Sequence, residues 1–312
     1  MWLAILCGLV FYKFFMQILD GEDDFSDIDT SDSDASFAVA ARLEKLYGGK
    51  AFVGLRIPDA DSGTRQHIDV VHITKWIVIV VAVRNISGDG NWVDKKHKSQ
   101  THLNPVIEVS RQVAVLESYL EQRGMLLPKG HVIGRVILPD SNCRPVDSIY
   151  SHPEVISSYE CKELKPESRG GFSNWIKRAV GKSDMQDGFY QKLHFILSTS
   201  PMWDRLELKS NRNILGEFRK FKGYQHDMQA LKNVKRSKVG RFIVQKPTIL
   251  GLGSSRLKLL CIPRDYHSED GLSDECKEIA VEPSTEVLFQ PLNSNKVKKL
   301  KLWSIVRATL SG

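Results

Sequence analysis

The chain has 312 residues, enough for two domains of ordinary size, and 42% of them are hydrophobic. With 9% aromatic and 26% charged residues the composition excludes a disordered chain, and 22 glycines with 12 prolines exclude a fibrous one. The five cysteines are odd in number, lie far apart and form no C-x-x-C pair. The sequence therefore predicts neither a disulfide framework nor a cysteine-rich zinc site, and it favours a reducing compartment.

The net charge of +7 is distributed unevenly along the chain. The first 34 residues contain eight acids and one base, Lys13, so the remaining chain contains 43 basic and 29 acidic residues. A basic body attracts phosphate groups or an anionic membrane surface, although many basic domains are simply soluble. The charge therefore bears on what the protein associates with and not on its fold.

Residues 2–19 are apolar except for Lys13 and Gln17. A helix of this length spans about 27 Å, close to the ~30 Å hydrocarbon core of a bilayer. No basic residue precedes the segment and acids follow it, so we predict an uncleaved hydrophobic anchor over residues 1–19 and not a signal peptide. A helix packed on the body of the protein is the alternative, because Lys13 makes the segment less suited to a bilayer.

The Asn85-Ile86-Ser87 sequon bears on the orientation of the protein. A glycan on Asn85 would disturb the strand before it, which favours a body on the cytosolic side. The sequence does not identify the membrane.

Residues 20–35 form a predicted acidic spacer, too polar and too charged to fold alone and therefore expected to be disordered. Ser26, Ser31 and Ser33 lie among acids, a context that acid-directed kinases favour. A plain spacer is the simpler interpretation. A segment that folds back on the basic body as an internal phosphate mimic is a second hypothesis.

Residues 36–165 show the patterns of an α/β domain. The predicted elements are a helix over 37–47 capped by Ser36, strands over 50–57, 67–73 and 76–83, a helix that begins at Asn104-Pro105 and runs to Leu120, and a strand over 131–138. The third strand is apolar on both faces and is therefore expected to be central. The order of a helix, a three-strand meander, a helix and a strand indicates an α/β sandwich.

Three motifs in these elements resemble the nuclease-related domain family, NERD. They are the strand containing Ile68-Asp69-Val70, the strand end Arg84-Asn85-Ile86-Ser87-Gly88, and the helix beginning at Asn104-Pro105. The detailed resemblance covers about residues 36–165. It is closest to plant members, which also begin with a short apolar segment and continue into a similar C-terminal part. The resemblance implies a mixed-sheet, nuclease-like fold of the PD-(D/E)xK type.

The same resemblance implies a metal site. In PD-(D/E)xK nucleases an Asp on one strand and an acid on the next hold Mg²⁺, and a Lys two residues later supports the attacking water. The family Asp corresponds to Asp69. The Glu-x-Lys of the next strand corresponds to Ala82-Val83-Arg84, in which both functional residues are replaced. A family glutamine in the following helix corresponds to Glu108, a further departure.

These replacements predict a degenerate site, with Asp69, Ala82, Arg84 and Glu108 as its vestiges. Ala82 removes a metal ligand, and Arg84 stays charged and cannot exchange a proton as lysine does. We therefore expect an ion pair between Asp69 and Arg84, no cofactor and no enzyme activity. The alternative is a surviving nuclease on DNA or RNA, in which Asp69 with Glu108 holds Mg²⁺ weakly.

The rest of the chain predicts a helical linker over residues 166–200 and a small β-rich domain over residues 201–312. Helices are expected over 172–180 and 185–197. Short alternating runs, separated by Gly, Pro and Asn turns, predict strands over 206–209, 214–221, 241–245, 257–262, 278–281, 286–289 and 297–302. Gly181-Lys182-Ser183 resembles the end of a P-loop but lacks the upstream glycine, so no nucleotide site is predicted.

Basic clusters recur along the body. Candidate phosphate contacts are Lys95, Lys96, Lys98, Lys235, Arg236 and Lys238, and a later cluster contains Lys296, Lys298, Lys299 and Lys301. Solvated faces are the ordinary explanation of such runs. Together the patterns predict a membrane-anchored NERD protein that acts as a non-catalytic scaffold or binding protein. A protein or an anionic lipid is the expected partner, and nucleic-acid binding without cleavage is a further alternative.

Overall fold

The computed structural model describes residues 30–84, 104–139, 152–163, 187–246, 256–265, 272–292 and 294–312, together with two short strands at Gly88–Asp89 and Cys143–Arg144. Four predicted features lie outside these residues: the anchor, most of the acidic spacer, the helix over 172–180 and the lysines at positions 95, 96 and 98. Within the described part of the chain, no helix has the length and apolar character needed to cross a membrane.

The first unit is a mixed sheet with a helix on each face. Its elements are α1 (Ser31–Tyr47), β1 (Lys50–Pro58), β2 (Arg65–Ile73), β3 (Val78–Val83), β4 (Gly88–Asp89), α2 (Pro105–Glu121), β5 (Val132–Ile137), β6 (Cys143–Arg144), β7 (Val155–Ile156) and α3 (Ser158–Glu163). Five strands form the sheet in the order β1-β2-β3-β5-β7. The β1-β2 and β2-β3 pairs are antiparallel, whereas β5 is parallel to β3 and to β7. The predicted mixed α/β fold is confirmed.

Strand β3 lies at the centre of this sheet, and all six of its residues are buried. Its continuous apolar sequence explains this position, because a strand covered on both faces needs no polar side. Val81 packs with Leu43 of α1 on one face. Val80 packs with Leu116 and Leu120 of α2 on the other. The two helices thus fix the sheet between two apolar layers.

Helix α1 begins at Ser31 and not behind Ser36, so the predicted start was wrong. Ser36 is buried inside the helix, and its Oγ donates to the carbonyl oxygen of Asp32 at 2.9 Å. Asp32 and Asp34 occupy the first turn, where carboxylates interact favourably with the helix dipole. Residues 31–35, which we expected to be disordered, are therefore helical.

The second unit is an antiparallel sheet of eight strands, which confirms a β-rich C-terminal part. Its elements are β8 (Asp204–Leu208), β9 (Asn213–Lys222), α5 (Gln225–Ala230), β10 (Val239–Gln245), β11 (Leu257–Pro263), β12 (Lys277–Val281), β13 (Glu286–Pro291), β14 (Lys298–Lys301) and β15 (Ile305–Thr309). The strand order is β12-β11-β10-β15-β8-β9-β13-β14. Residues 282–285 connect β12 at one edge to β13 near the other. Because this connection is short, the sheet curls around its own apolar core.

Helix α4 and the residues that follow it join the two units beside β1. Helix α4 (Asp187–Ser198) places Leu193 and Leu197 in the core of the first unit. Beyond it, the backbone N–H of Trp203 donates to the carbonyl oxygen of Gly54 at 2.9 Å. Gly54 has a φ of +74°, which favours glycine. A Cβ at this position would also lie 3.1 Å from the side chain of Leu215, so both the backbone conformation and the space disfavour a side chain. This close approach places Trp203 next to β2.

Candidate functional site

The four vestigial residues predicted from the sequence come together where β2, β3 and α2 meet. Asp69 lies in β2, Ala82 lies in β3, and Arg84 directly follows β3. Glu108 lies in the first turn of α2. Asn104 caps that helix by accepting a hydrogen bond from the N–H of Val106 at 2.9 Å, and this cap sets the position of Glu108.

Arg84 bridges the two carboxylates. Its Nη1 donates to Oδ2 of Asp69 at 2.7 Å, and its Nη2 lies 2.5 Å from Oε1 of Glu108. Nη1 also donates to the carbonyl oxygen of Val83 at 2.8 Å. The predicted ion pair between Asp69 and Arg84 is therefore present, and Glu108 extends it to a triad.

Both oxygens of Asp69 accept hydrogen bonds. Oδ2 also accepts from the backbone N–H of Val83, and Oδ1 lies 2.9 Å from Nε2 of His67. Burial acts to raise the pKa of Asp69, but Arg84, His67 and the Val83 N–H outweigh burial and hold this pKa well below its usual range. Burial likewise acts to lower the pKa of Arg84, and Asp69 with Glu108 raises it overall. Asp69 and Arg84 consequently remain charged at physiological pH.

His67 connects this site to the second unit. Nε1 of Trp203 donates to Nδ1 of His67 at 3.1 Å, so Nδ1 acts as an acceptor and the ring proton lies on Nε2. That proton is donated to Asp69. The guanidinium of Arg56 stacks 3.8 Å from the centre of the Trp203 ring and also donates to Glu217 at 2.9 Å. Residues of both units thus fix the tautomer and the position of His67.

Gln112 closes the cluster from α2. Its side chain is only 1% exposed, and its Nε2 donates to the carbonyl oxygen of His67 at 3.0 Å. The same Nε2 lies 3.5 Å from Oε1 of Glu108. Gln112 therefore braces both Glu108 and the backbone at His67.

Sequence reasoning missed three members of this cluster: His67, Gln112 and Trp203. The period-two alternation of β2 puts His67 on the same face as Asp69, so this residue had a local signal. Gln112 lies one helical turn after Glu108, which is also a readable spacing. Trp203 is 136 residues from His67 in sequence, and no local pattern relates the two.

The residues present do not fit the Mg²⁺ ion that the resemblance implies. Ala82 is fully buried against α2 and offers no donor atom. The guanidinium of Arg84 occupies the space between the two carboxylates that would have to share a cation. Among the described residues no group of three or more His, Cys, Asp or Glu side chains is arranged to hold a metal.

The candidate phosphate contacts differ in how they are placed. Nη2 of Arg236 lies 2.5 Å from Oδ2 of Asp204, which is 2% exposed and also accepts from the N–H groups of Phe218 and Ser311. Arg236 therefore holds a buried carboxylate between strands, contrary to the predicted phosphate contact. Lys235 and Lys238 are exposed on the turn that leads into β10.

A cleft of about 300 Å³ lies between the β1-β2 turn and α2. Asp59, one of the two aspartates in its lining, accepts from Ser62 Oγ at 2.7 Å and from Arg111 at 3.0 Å. These hydrogen bonds, that of Ser62 first and that of Arg111 next, lower the pKa of Asp59 to about 2. Asp59 therefore stabilises the β1-β2 turn and its contact with α2.

No curated protein and no solved structure matches the chain. A family model described as NERD, the nuclease-related domain, matches residues 31–139. The match begins with α1 and ends just after β5, so it contains Asp69, Ala82, Arg84 and Glu108. The resemblance seen in the sequence is confirmed over this range.

Proposed function

We propose that the NERD domain of this protein is non-catalytic and that the protein is a membrane-anchored scaffold or binding protein. The bridge from Arg84 to Asp69 and Glu108 is the observation that carries the proposal. In this arrangement a fixed guanidinium takes the place that a nuclease of the PD-(D/E)xK type gives to a metal ion.

Energetics favour the bridge over a cation. A metal ion on Asp69 and Glu108 would have to separate both carboxylates from Arg84, whose side chain is 23% exposed. Stripping a buried charge of its partners costs about 3–5 kcal/mol. Ala82 supplies nothing to offset this loss, because a methyl group does not bind a cation.

Calorimetry with Mg²⁺ and Mn²⁺ on the full chain, together with cleavage assays on DNA and RNA, tests the proposal. We expect neither binding heat nor cleavage, and no change in either with Asp69→Ala. The double variant Ala82→Glu/Arg84→Lys restores the nuclease pattern and serves as the matched control, in which we expect metal binding to appear. Metal binding and cleavage by the unaltered chain, both lost with Asp69→Ala, would show that it is an enzyme.

The membrane part of the proposal is supported by the apolar sequence of residues 2–19. We expect full-length protein to remain in the membrane pellet after extraction with alkaline carbonate. Release into the supernatant would contradict the anchor and leave the non-catalytic site untouched. A body on the cytosolic side further predicts that Asn85 carries no glycan.

A further inference from the structure

The outer face of β9, β13 and β14 carries four exposed lysines in two rows. The pairing of the strands places Leu288 between Lys220 and Lys299, and Glu286 between Lys222 and Lys301. Side chains directly opposite each other on paired strands point to the same face, and neighbouring strands lie about 4.8 Å apart. Each pair of lysines is therefore separated by roughly 10 Å at the backbone. With one glutamate against four lysines, this part of the sheet is strongly positive.

Trp303 continues this positive surface just after β14. Three ammonium groups surround its ring, those of Lys209, Lys246 and Lys301, at 4.1, 5.9 and 6.0 Å from the ring centre. Neither Lys246 nor Lys301 pairs with a carboxylate in the part of the chain that the structure describes. The ring itself packs on the apolar core, which fixes its position. Three like charges held around one ring repel each other, and a bound anion relieves that repulsion.

We call this surface the lysine face; it consists of Lys209, Lys220, Lys222, Lys246, Lys299 and Lys301 with Trp303 and Leu288. All six lysines are exposed, whereas Trp303 and Leu288 are partly buried. It contains none of the residues around Asp69, and it shares Lys299 and Lys301 with the later basic cluster identified from the sequence.

The start of α1 lies beside the lysine face. Oγ1 of Thr30 accepts from Nε of Arg212 at 2.8 Å. Arg212 ends the short turn after β8 that begins with Lys209, and the backbone N–H of Lys209 donates to Ser304 next to Trp303 at 3.1 Å. The turn over residues 209–212 therefore contacts both Thr30, the first described residue, and the residue next to Trp303 at the edge of the lysine face. The eleven residues from 20 to 30 can span at most about 40 Å, so a membrane that holds residues 2–19 lies within that distance of Thr30, beside this face.

We propose that the lysine face binds the anionic phospholipid headgroups of the membrane in which residues 2–19 are anchored. The proposal rests on the membrane part of the proposed function and adds the lipid class and the surface that meets it. Lysines next to an anionic leaflet are attracted to it over about one Debye length, and tryptophan is enriched at the headgroup level of membrane proteins. Bound in this way, the second unit lies against the bilayer.

Single-stranded nucleic acid fits this surface less well. Such strands bind by stacking bases on exposed aromatic faces, in addition to contacts with phosphates. The ring of Trp303 is partly buried, and the ammonium of Lys209 lies 4.1 Å from its centre. The aromatic side chains of β9 and β13 (Phe218, Phe221 and Phe289) point into the core. The face therefore offers positive charge without a stacking platform.

Hydrogen exchange on the full chain tests the proposal. The protein is reconstituted into phosphatidylcholine vesicles with and without about 30% phosphatidylserine, which supplies the negative surface potential. We expect slower exchange in peptides covering β13, β14 and Trp303 only when phosphatidylserine is present. This protection is expected to disappear at about 0.5 M salt, because screening shortens the reach of the lysines.

A matched pair of variants assigns the effect to the face. Lys209→Gln/Lys299→Gln/Lys301→Gln is expected to lose the protection that depends on phosphatidylserine. Lys232→Gln/Lys235→Gln/Lys238→Gln removes the same charge from exposed positions before β10 and is expected to keep it. Equal exchange in both vesicle types, or loss of protection in the second variant, would overturn the proposal.

Other ligands give different results. Protection by a single-stranded 20-nucleotide oligomer (about the length of a short binding site) but not by phosphatidylserine would assign the face to nucleic acid and overturn the proposal. Protection without lipid that is lost when the six acids between residues 20 and 29 are neutralised would assign it to the acidic spacer, and also overturn it. Protein that is released by carbonate but still protected by phosphatidylserine would contradict the anchor and support the lysine face.

Discussion

A single guanidinium group, that of Arg84, ties the end of β3 to β2 and to the first turn of α2. Arginine suits this role because its planar fork reaches Asp69 and Glu108 with different nitrogens. Lysine, which the family pattern has at this position, is a point charge on a flexible stem and would not hold the two carboxylates in the same fixed geometry.

Replacing Arg84 is expected to lower the free energy of unfolding more than replacing Asp69. Arg84→Met leaves Asp69 and Glu108 without their shared cation, at a cost of roughly 3 kcal/mol in the free energy of unfolding. Asp69→Asn/Arg84→Met removes both charges and is expected to cost less than the two single changes added together. Urea unfolding of Arg84→Met, Asp69→Asn and the double variant measures this coupling, and additive losses would show that the bridge contributes nothing.

His72 predicts how stability depends on pH. It is fully buried in β2, with Nε2 2.7 Å from the carbonyl oxygen of Gly48, and burial lowers its pKa. Because the unfolded chain then binds the proton more readily, the free energy of unfolding falls as the pH drops below about 6.5.

His72→Gln removes this titration and is expected to flatten the dependence. Urea unfolding of both proteins at pH 7.5 and at pH 5.5 (values about one unit either side of the ordinary histidine pKa) gives the comparison. The difference between the two proteins matters here, since the substitution also changes stability at neutral pH. An equal fall in both proteins would assign the acid sensitivity to other groups.

The helices and strands show which local sequence patterns were sufficient to predict an element and its position. Continuous apolar sequence identified β3 as central, and the Asn104-Pro105 signal placed α2 correctly. The start of α1 was missed because Asp34 is held by a residue far away in sequence: its Oδ1 accepts from the N–H of Asn213 at 2.7 Å. Strand β15 was missed because a bulge between Ile305 and Arg307 breaks its alternation.

Asp34 offers a test of this contact between elements. Asp34→Asn weakens a charged acceptor that joins α1 to the start of β9, and hydrogen bonds to charged groups contribute roughly 1.5–3 kcal/mol. Asp32→Asn removes the same charge from the same helical turn but leaves the bond to Asn213, so we expect a smaller loss. Thermal unfolding of the two variants compares them, and equal losses would mean that only the helix dipole matters.

At the scale of the whole molecule, the two units share the site around His67. The family pattern was enough to identify Asp69, Ala82, Arg84 and Glu108 as the residues that meet. It could not show that Trp203 would reach this site, because the contact depends on how the second unit packs beside β1. Sequence thus predicted which residues of the first unit meet, whereas packing determined which residue of the second unit joins them.

This shared site predicts cooperative unfolding. With Trp203 bonded to His67 and stacked under Arg56, we expect circular dichroism and fluorescence to report a single urea transition. Trp203→Ala removes both contacts and is expected to separate the transition into two. Trp76→Ala, at a position that is 43% exposed on the β2-β3 turn, is the control and should leave one transition. A single transition in Trp203→Ala would show that other contacts couple the units.

The place of β15 in the second sheet also bears on how the protein is made. This strand is the last of the described strands in the chain, yet it lies between β8 and β10 in the middle of the sheet. During synthesis β8 and β10 each keep one unpaired edge until residues 305–309 leave the ribosome. Open edges of this kind invite pairing with other chains. The nascent protein therefore passes through a stage, before β15 emerges, at which it depends on protection from aggregation.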